Sequence, residues 1–351
     1  MAHACVLAPN QSVYSNLAVD HDVDVVVPAV WRDDLRPTPY GFTRPATSDI
    51  TMHPVSVLGM GRPQRHLHLC SPRRVLERLR PDVVVIEEEA FSVAGWRWSR
   101  AARRLGLPYA VQCAENLERH LPLIVRWSER SVLSHAGWVM ARSPAAGERA
   151  VRHGAHPSAV EVVPHGVDAV RDHAPAPRSG VIGFVGRLSP AKGVNDLLEV
   201  ARRRPDVTVE FVGDGELREA VATAQNNVVY RGVMSTGELE EFYASVSVVA
   251  VPSRTTPTWS EQFGRVIIEA QAHGTPVVAY DSGEIPWVAH ETTVVLVPEG
   301  DIEQLTEALV RCALQGDGLE RGREGRSRVQ RTFTNEAAAN QVRRFIRSVV
   351  R

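Results

Sequence analysis

The run GFVGRLSPAKG at residues 183–193 sets an apolar stretch against a glycine, an arginine and then a lysine beside a second glycine. Residues 181–185 read as a strand. The following VNDLLEVARR, 194–203, carries apolar residues at helical spacing, and VTVEFV, 207–212, reads as the next strand. Strand, turn, helix, strand is the repeating unit of a parallel α/β layer. A glycine at the strand end, Gly186, lets a ligand approach the backbone, and a helix opening near Ala191 offers free N–H groups to an anion. Arg187 adds a planar fork and Lys192 a point charge, a pairing suited to a diphosphate. Lys192 is also the single lysine among 40 basic residues. Where arginine carries nearly all the positive charge, a retained lysine marks a place that wants a compact ammonium.

The same alternation runs outward in both directions. Strands are expected at 228–230, 248–251, 276–279 and 294–297, with helices at 216–224, 238–245, 264–273 and 302–314 and a last helix at 335–349. Before the motif, strands are expected at 5–8, 23–27, 83–86, 109–112, 138–141 and 160–163, with helices at 72–79, 93–105, 122–135 and 144–153. Residues 31–52, rich in Pro, Arg and aromatics, read as a surface excursion, and 168–179 as the linker between two similar halves. The resulting division is 1–165, a hinge at 166–179, 180–334, and a terminal helix at 335–351 that packs back on the first half. Such a pairing places ligands in a crevice at strand C-terminal ends.

Composition narrows the classes. A length of 351 residues fits two domains, 44% hydrophobic and 23% charged residues are ordinary for a globular chain, and a net charge of −1 gives no global field for nucleic acid or an anionic membrane. Cys5, Cys70, Cys113 and Cys312 lack metal-binding spacing, which fits a reducing compartment. The N-terminus has no basic-then-apolar leader, so a cytoplasmic protein is expected. The DVD run at 22–24 precedes a strand and is read as edge polarity rather than a metal site. His66 and His68 in RHLHL are read as structural, as is His165 at the hinge. The WRWSR run at 96–100, continuing to Arg104, has the look of a membrane-surface stripe, but it is short and the neutral chain gives it no support, so peripheral membrane contact is the lesser reading.

A second motif, SEQFGRVIIEAQAHGTPVVAY at 260–280, holds Glu261 in the loop before a helix and Glu269 in that helix's second turn. A carboxylate on the helix suits the two hydroxyls of a ribose. Glu261 with the amides around Phe263 and Gly264 suits sugar hydroxyls, at a helix N-terminus whose partial positive charge favours an anion. Val266, Ile267, Ile268 and Ala270 imply a buried helix, so Glu269 wants a partner.

GRLxxxKG, the GDGELR turn at 213–218, the Glu261/Glu269 pair with its FG, the HGTPVVA continuation and VPHGVD at 163–168 together resemble the retaining glycosyltransferases of family 4. The resemblance implies the GT-B fold, two Rossmann-like α/β domains facing across a cleft. It also implies metal-independent transfer of a sugar from a UDP- or GDP-sugar to an acceptor, with no cofactor. It assigns Arg187 and Lys192 to the diphosphate, Glu261 with Phe263 and Gly264 to the donor sugar, and Glu269 to the ribose. Gly186, Gly213, Gly215 and the backbone near Val233 would line the base and phosphates. The first half departs from the pattern. Pro9–Val13, carrying Asn10 and Ser12, stands where a glycine pair is common, and Glu87 stands where a histidine is common. Residues 282–287, SGEIPW, replace GGxPE. Glu87 is therefore taken as a catalytic candidate. Asn10, Ser12, Glu88, Glu89, Asn116 and His120 are candidates for a small-molecule, natural-product or cell-envelope acceptor bearing a hydroxyl or amine. Three successive glutamates should repel one another and raise at least one pKa. The alternatives are a nucleotide-sugar 2-epimerase-like enzyme of the same fold and a non-catalytic sugar-nucleotide-binding partner subunit. Nucleic acid is not an expected partner, and the oligomeric state is left open.

Overall fold

A computed structural model describes residues 1–33, 38–44, 49–168 and 178–350. Most of the expected linker, 169–177, and residues 34–37 and 45–48 of the excursion lie outside the described residues. Contacts divide the chain into two units, Met1–Gly166 with Asn335–Arg351, and Val167–Thr334.

The Val167–Thr334 unit is built on six parallel strands, in spatial order Val228–Gly232, Thr208–Val212, Arg178–Val185, Val246–Val251, Val277–Asp281 and Val294–Pro298. Strand order therefore reverses between Arg178–Val185 and Val246–Val251, the place where doubly wound sheets take ligands. Val246–Val251 is buried along its whole length, as a parallel strand covered on both faces must be. Alternate residues feed two cores. Ile182, Phe211, Val248 and Tyr280 meet Leu197 and Leu305 in one. Val249, Val251 and Ala279 meet Phe242, Ile267 and Phe333 in the other.

One helix of this unit, Leu319–Thr332, has no counterpart in the sequence reading. Its LERGREGRSRVQRT run hides its periodicity because two glycines sit on the packed face. A Cβ on Gly322 would lie 2.1 Å from the Gly274 carbonyl oxygen. The helix expected at 302–314 is α-helical over Ile302–Val310 and continues as a π-turn over Arg311–Gln315.

The other unit has a four-stranded parallel sheet, Val160–Val162, Trp138–Ala141, Tyr109–Cys113 and Val84–Glu89 in that order, and a separate parallel pair, Asp24–Pro28 with Thr51–Val55. The strand expected at 5–8 is instead two 3₁₀ turns, Ala4–Val6 and Ala8–Gln11. The Gln11 amide donates to the Cys5 carbonyl at 2.6 Å and the Thr43 carbonyl at 2.8 Å, taking an acceptor that a sheet neighbour would need. The first two residues span the gap, Met1 donating to the Val85 carbonyl and the Ala2 amide to the Val26 carbonyl. The terminal helix Asn335–Val349 buries Ala338, Ala339, Val342 and Phe345 in this unit's core, with the Phe345 ring stacked on Trp138 at 5.1 Å.

Candidate active site

At the strand-order reversal, three turns are hydrogen-bonded into one platform. The Leu188 amide donates to the Asp214 carbonyl, the Leu217 amide to the Leu188 carbonyl, and the Arg254 amide to the Ala191 carbonyl, at 2.8–2.9 Å. Two glycines make this approach possible. Gly193 has φ +72°, and a Cβ there would lie 2.0 Å from the Pro252 carbonyl oxygen. Gly213 has φ +135°, and its Cβ would lie 1.9 Å from the Gly186 carbonyl oxygen. Gly186 and Gly215 belong to the same turns.

Lys192 ends the short 3₁₀ turn Pro190–Lys192, and Glu261 lies in the loop before the helix Arg265–Ala272. Their side chains meet at 2.6 Å. The Glu261 carboxylate also accepts from the buried Ser253 hydroxyl at 2.9 Å and from the Gly264 amide at 3.2 Å. Burial works against its ionisation, but the Lys192 ammonium with these two donors outweighs that and holds its pKa below the usual carboxylate value. The Lys192 ammonium lies 4.7 Å from the centre of the Trp259 ring. Trp259 is set by a tight turn in which Thr256 and Trp259 exchange backbone hydrogen bonds.

Glu269 projects from the helix Arg265–Ala272, where it pairs with Arg265 at 2.7 Å and accepts from the buried Tyr243 hydroxyl at 2.7 Å. That answers the need for a partner. Burial, then the Glu269 charge, pushes the Tyr243 phenol well up. Arg187 is exposed in the turn after Arg178–Val185, and Val233 is exposed just past Val228–Gly232. The Phe263 ring is core, edge-on to Trp287 and Phe333, so only its backbone remains for a ligand. The Gly264 amide is already engaged by Glu261.

In the other unit the three glutamates lie inside the strand Val84–Glu89, not after it, and do not form one repelling cluster. Glu87 pairs with Arg142 at 2.9 Å, and Tyr14 hydrogen-bonds to it. Glu88 is buried and accepts from the His3 amide at 2.9 Å and the His3 ring at 2.8 Å. Burial opposes its charge, but His3 prevails and its pKa is lowered. Glu89 accepts from the Ala114 and Glu115 amides at 2.9 and 3.2 Å, and its pKa rises to about 7. Burial is the main cause there, with Glu115 adding less. One expected raised pKa is present, then, but desolvation produces it rather than mutual repulsion.

The Asn10 side chain donates to the Ala4 carbonyl and Ser12 to the Pro9 carbonyl, both closing the local turns. Asn116 is half-buried and His120 exposed in the segment between Tyr109–Cys113 and the helix Leu123–Leu133. Asp24 of the DVD run bonds His53 at 2.6 Å, and among the described residues no group of three or more His, Cys, Asp or Glu is placed to hold a metal ion.

Sequence reasoning missed Ser253, Trp259, Tyr243 and a triad beneath the Lys192 turn. In that triad the buried Asp196 accepts two bonds from Arg254, at 2.7 and 2.9 Å, and one from the Tyr280 hydroxyl at 3.0 Å. The only available signals were a serine after an apolar strand and a proline in TTPTW. Neither names a partner far along the chain.

Comparison with known proteins places the fold in a family. Residues 11–166 match the glycosyl transferase 4-like domain and 179–315 the glycosyl transferases group 1. D-inositol 3-phosphate glycosyltransferase of Mycobacterium sp. strain KMS is 34% identical over 199 residues, 50% of this chain and 44% of that one. A Corynebacterium glutamicum GDP-mannose-dependent monoacylated α-(1-6)-phosphatidylinositol monomannoside mannosyltransferase is 29% identical over 222 residues, 56% and 58% of the two chains. The chain thus spans about half the length of the curated relatives it matches. Among solved structures, Anabaena HepE with UDP and glucose superposes with a TM-score of 0.74 at 20% identity, over 96% of this chain and 95% of that one. With both halves matched in order and the fold shared end to end, the chain belongs to the group 1, family 4 glycosyltransferases and has the GT-B fold.

Proposed function

We propose that this chain transfers a sugar from a UDP- or GDP-sugar to a hydroxyl- or amine-bearing acceptor, with retention at the anomeric carbon and without a metal. The observation that carries the reading is the half-exposed Lys192 ammonium, fixed against Glu261 at the strand-order reversal of a doubly wound sheet. On this reading Lys192 and Arg187 bind the diphosphate and stabilise the charge that develops as the glycosidic bond breaks. Gly186, Gly213 and Gly215 let the phosphates approach the backbone. Glu261, oriented by Ser253 and Gly264, accepts from donor-sugar hydroxyls, and Glu269, held by Tyr243 and Arg265, takes the ribose. The departing phosphate takes the acceptor proton. Glu87 is the catalytic candidate of the other unit, its carboxylate fixed by Arg142, with Asn10, Ser12, Glu88, Glu89, Asn116 and His120 as acceptor-side candidates. Relatives whose names carry an inositol phosphate acceptor and a GDP-mannose donor, and HepE with UDP, support this substrate class.

The test is release of nucleoside diphosphate from a panel of UDP- and GDP-sugars in EDTA, followed by chromatography. Wild type should turn over at least one donor. Lys192→Ala and Arg187→Ala should each lose about a hundredfold or more in rate, as when a charge-stabilising group is removed. Near-normal turnover in both variants would reject the assignment. Conversion of the donor to an isomer would favour epimerisation.

A further inference from the structure

The ammonium of Lys192, the single lysine of the chain, touches two groups of different kinds. The Glu261 carboxylate accepts from it at 2.6 Å, and the centre of the half-buried Trp259 ring lies 4.7 Å away. Local sequence sets that ring in place. Thr256, Pro257, Thr258 and Trp259 form a four-residue turn with proline at its second position, where a fixed φ is favoured. The Thr256 amide donates to the Trp259 carbonyl at 2.8 Å, and the Trp259 amide donates to the Thr256 hydroxyl at 2.9 Å. These bonds run through main-chain atoms of Trp259 and leave the indole to face Lys192. Beside the lysine, Gly193 is packed against the Pro252 carbonyl and fixes the backbone. What stays adjustable is the four-carbon stem that carries the ammonium.

We infer that Trp259 is a positioning residue, an aromatic wall that keeps the Lys192 ammonium at the diphosphate while Glu261 turns to the donor sugar. The inference rests on the donor-site reading above and deepens it. That reading asks Lys192 and Glu261, which hold each other at 2.6 Å, to serve two different parts of one ligand. When the ion pair opens, Glu261 keeps the Ser253 hydroxyl and the Gly264 amide as donors. An ammonium without a second contact would swing into water, because its stem is flexible and its charge strongly hydrated. The Trp259 face supplies that contact through the ring quadrupole. The ring carries no charge, so it holds the cation without neutralising it, and N–H groups of the ammonium remain for phosphate oxygens. A second carboxylate in its place would hold Lys192 as well but repel the diphosphate.

A chain with one lysine gives one lysine side-chain resonance, so protein grown on isotope-labelled lysine reports Lys192 alone. In wild type the ring current of Trp259 should move the Lys192 Cε protons upfield of their position in Trp259→Leu. Isothermal titration with UDP and GDP then measures the consequence. Trp259→Leu should weaken the nucleotide that wild type binds about fivefold or more, the worth of a partly desolvated cation–π contact. Trp259→Phe keeps an aromatic face and should lose less. A double-mutant cycle separates positioning from a general effect on the loop. With Lys192→Met already present, Trp259→Leu should change affinity by less than about twofold, because the cation it holds is gone. Three results would each overturn the inference while the donor site stands: wild-type affinity in Trp259→Leu, an equal loss with and without Lys192, or a lysine resonance that Trp259→Leu does not move. A wild type that binds neither nucleotide would reject the donor-site reading itself, and this inference with it.

Discussion

Replacing Lys192 by Met deletes the ammonium while the Ser253 hydroxyl and the Gly264 amide still donate to Glu261. Exposed ion pairs are worth about 0–1 kcal/mol, and breaking a buried one costs about 3–5. This pair lies between those limits, with the Glu261 side chain 11% and the Lys192 side chain 28% exposed. A cost of about 2 kcal/mol is therefore expected at neutral pH. Glu261→Gln should cost a similar amount, because an amide N–H₂ would face either Lys192 or the Gly264 N–H. The double variant should recover about 1–2 kcal/mol relative to the sum of the singles, since no uncompensated charge remains. The pH dependence gives a second check. In wild type the depressed Glu261 pKa adds stability above the unfolded value near 4.5, lost as pH falls through the lower folded value. In Lys192→Met burial dominates and the pKa rises, so the deficit against wild type is largest at neutral pH and shrinks on acidification below about 4.5. Urea unfolding of the four proteins at pH 7 and at mildly acidic pH measures all of this. Additive single effects, or a deficit that grows as pH falls, would refute the reasoning.

Gly193→Ala puts a methyl group against the Pro252 carbonyl in a left-handed conformation. It should cost more than the ~1–2 kcal/mol of that conformation alone, read by urea unfolding, and lower donor turnover by displacing Lys192. Tyr243→Phe should weaken nucleoside diphosphate binding several-fold by freeing the Glu269 carboxylate, with KM for the donor rising more than kcat falls. His3→Ala should destabilise most between the ordinary carboxylate and imidazole pKa values. The lowered Glu88 pKa contributes above about 4.5, and the raised His3 pKa contributes below about 6.5 and is lost above its folded value, as thermal melts against pH would show. Glu89 has the opposite sign. Its pKa of about 7 means wild type loses stability as pH rises from about 4.5 to 7, and Glu89→Gln should flatten that slope.

The second half was the more legible because its signals are local. A strand, a positive-φ glycine and a helix start sit within a dozen residues, and Gly193 and Gly213 are where backbones approach too closely for any side chain. The Lys192–Glu261 contact spans 69 positions in sequence. It could be expected only because both residues bear chemistry at strand ends. Ser253 and Tyr243 serve Glu261 and Glu269 through single hydroxyls, and an isolated serine or tyrosine in a sequence carries no such information. In the first half, residues 5–8 satisfy the pattern of a strand, yet the Gln11 amide decides for a turn. Leu319–Thr332 escaped notice because glycines replace the apolar residues by which a packed helix face is recognised. The glutamates at 87–89 show the limit of charge reasoning from sequence. Alternation along a strand and separate sets of partners keep apart carboxylates that are adjacent in the chain.

The central claim is a nucleoside diphosphate site built on Lys192, Arg187 and Glu269. Isothermal titration of wild type with UDP and GDP, repeated on Lys192→Met and Glu269→Gln, tests it most directly. One nucleotide should bind at one site per chain, with affinity reduced about tenfold or more in each variant, the loss of roughly one charge-assisted contact. Binding of neither nucleotide to wild type, or equal affinities in wild type and both variants, would contradict it.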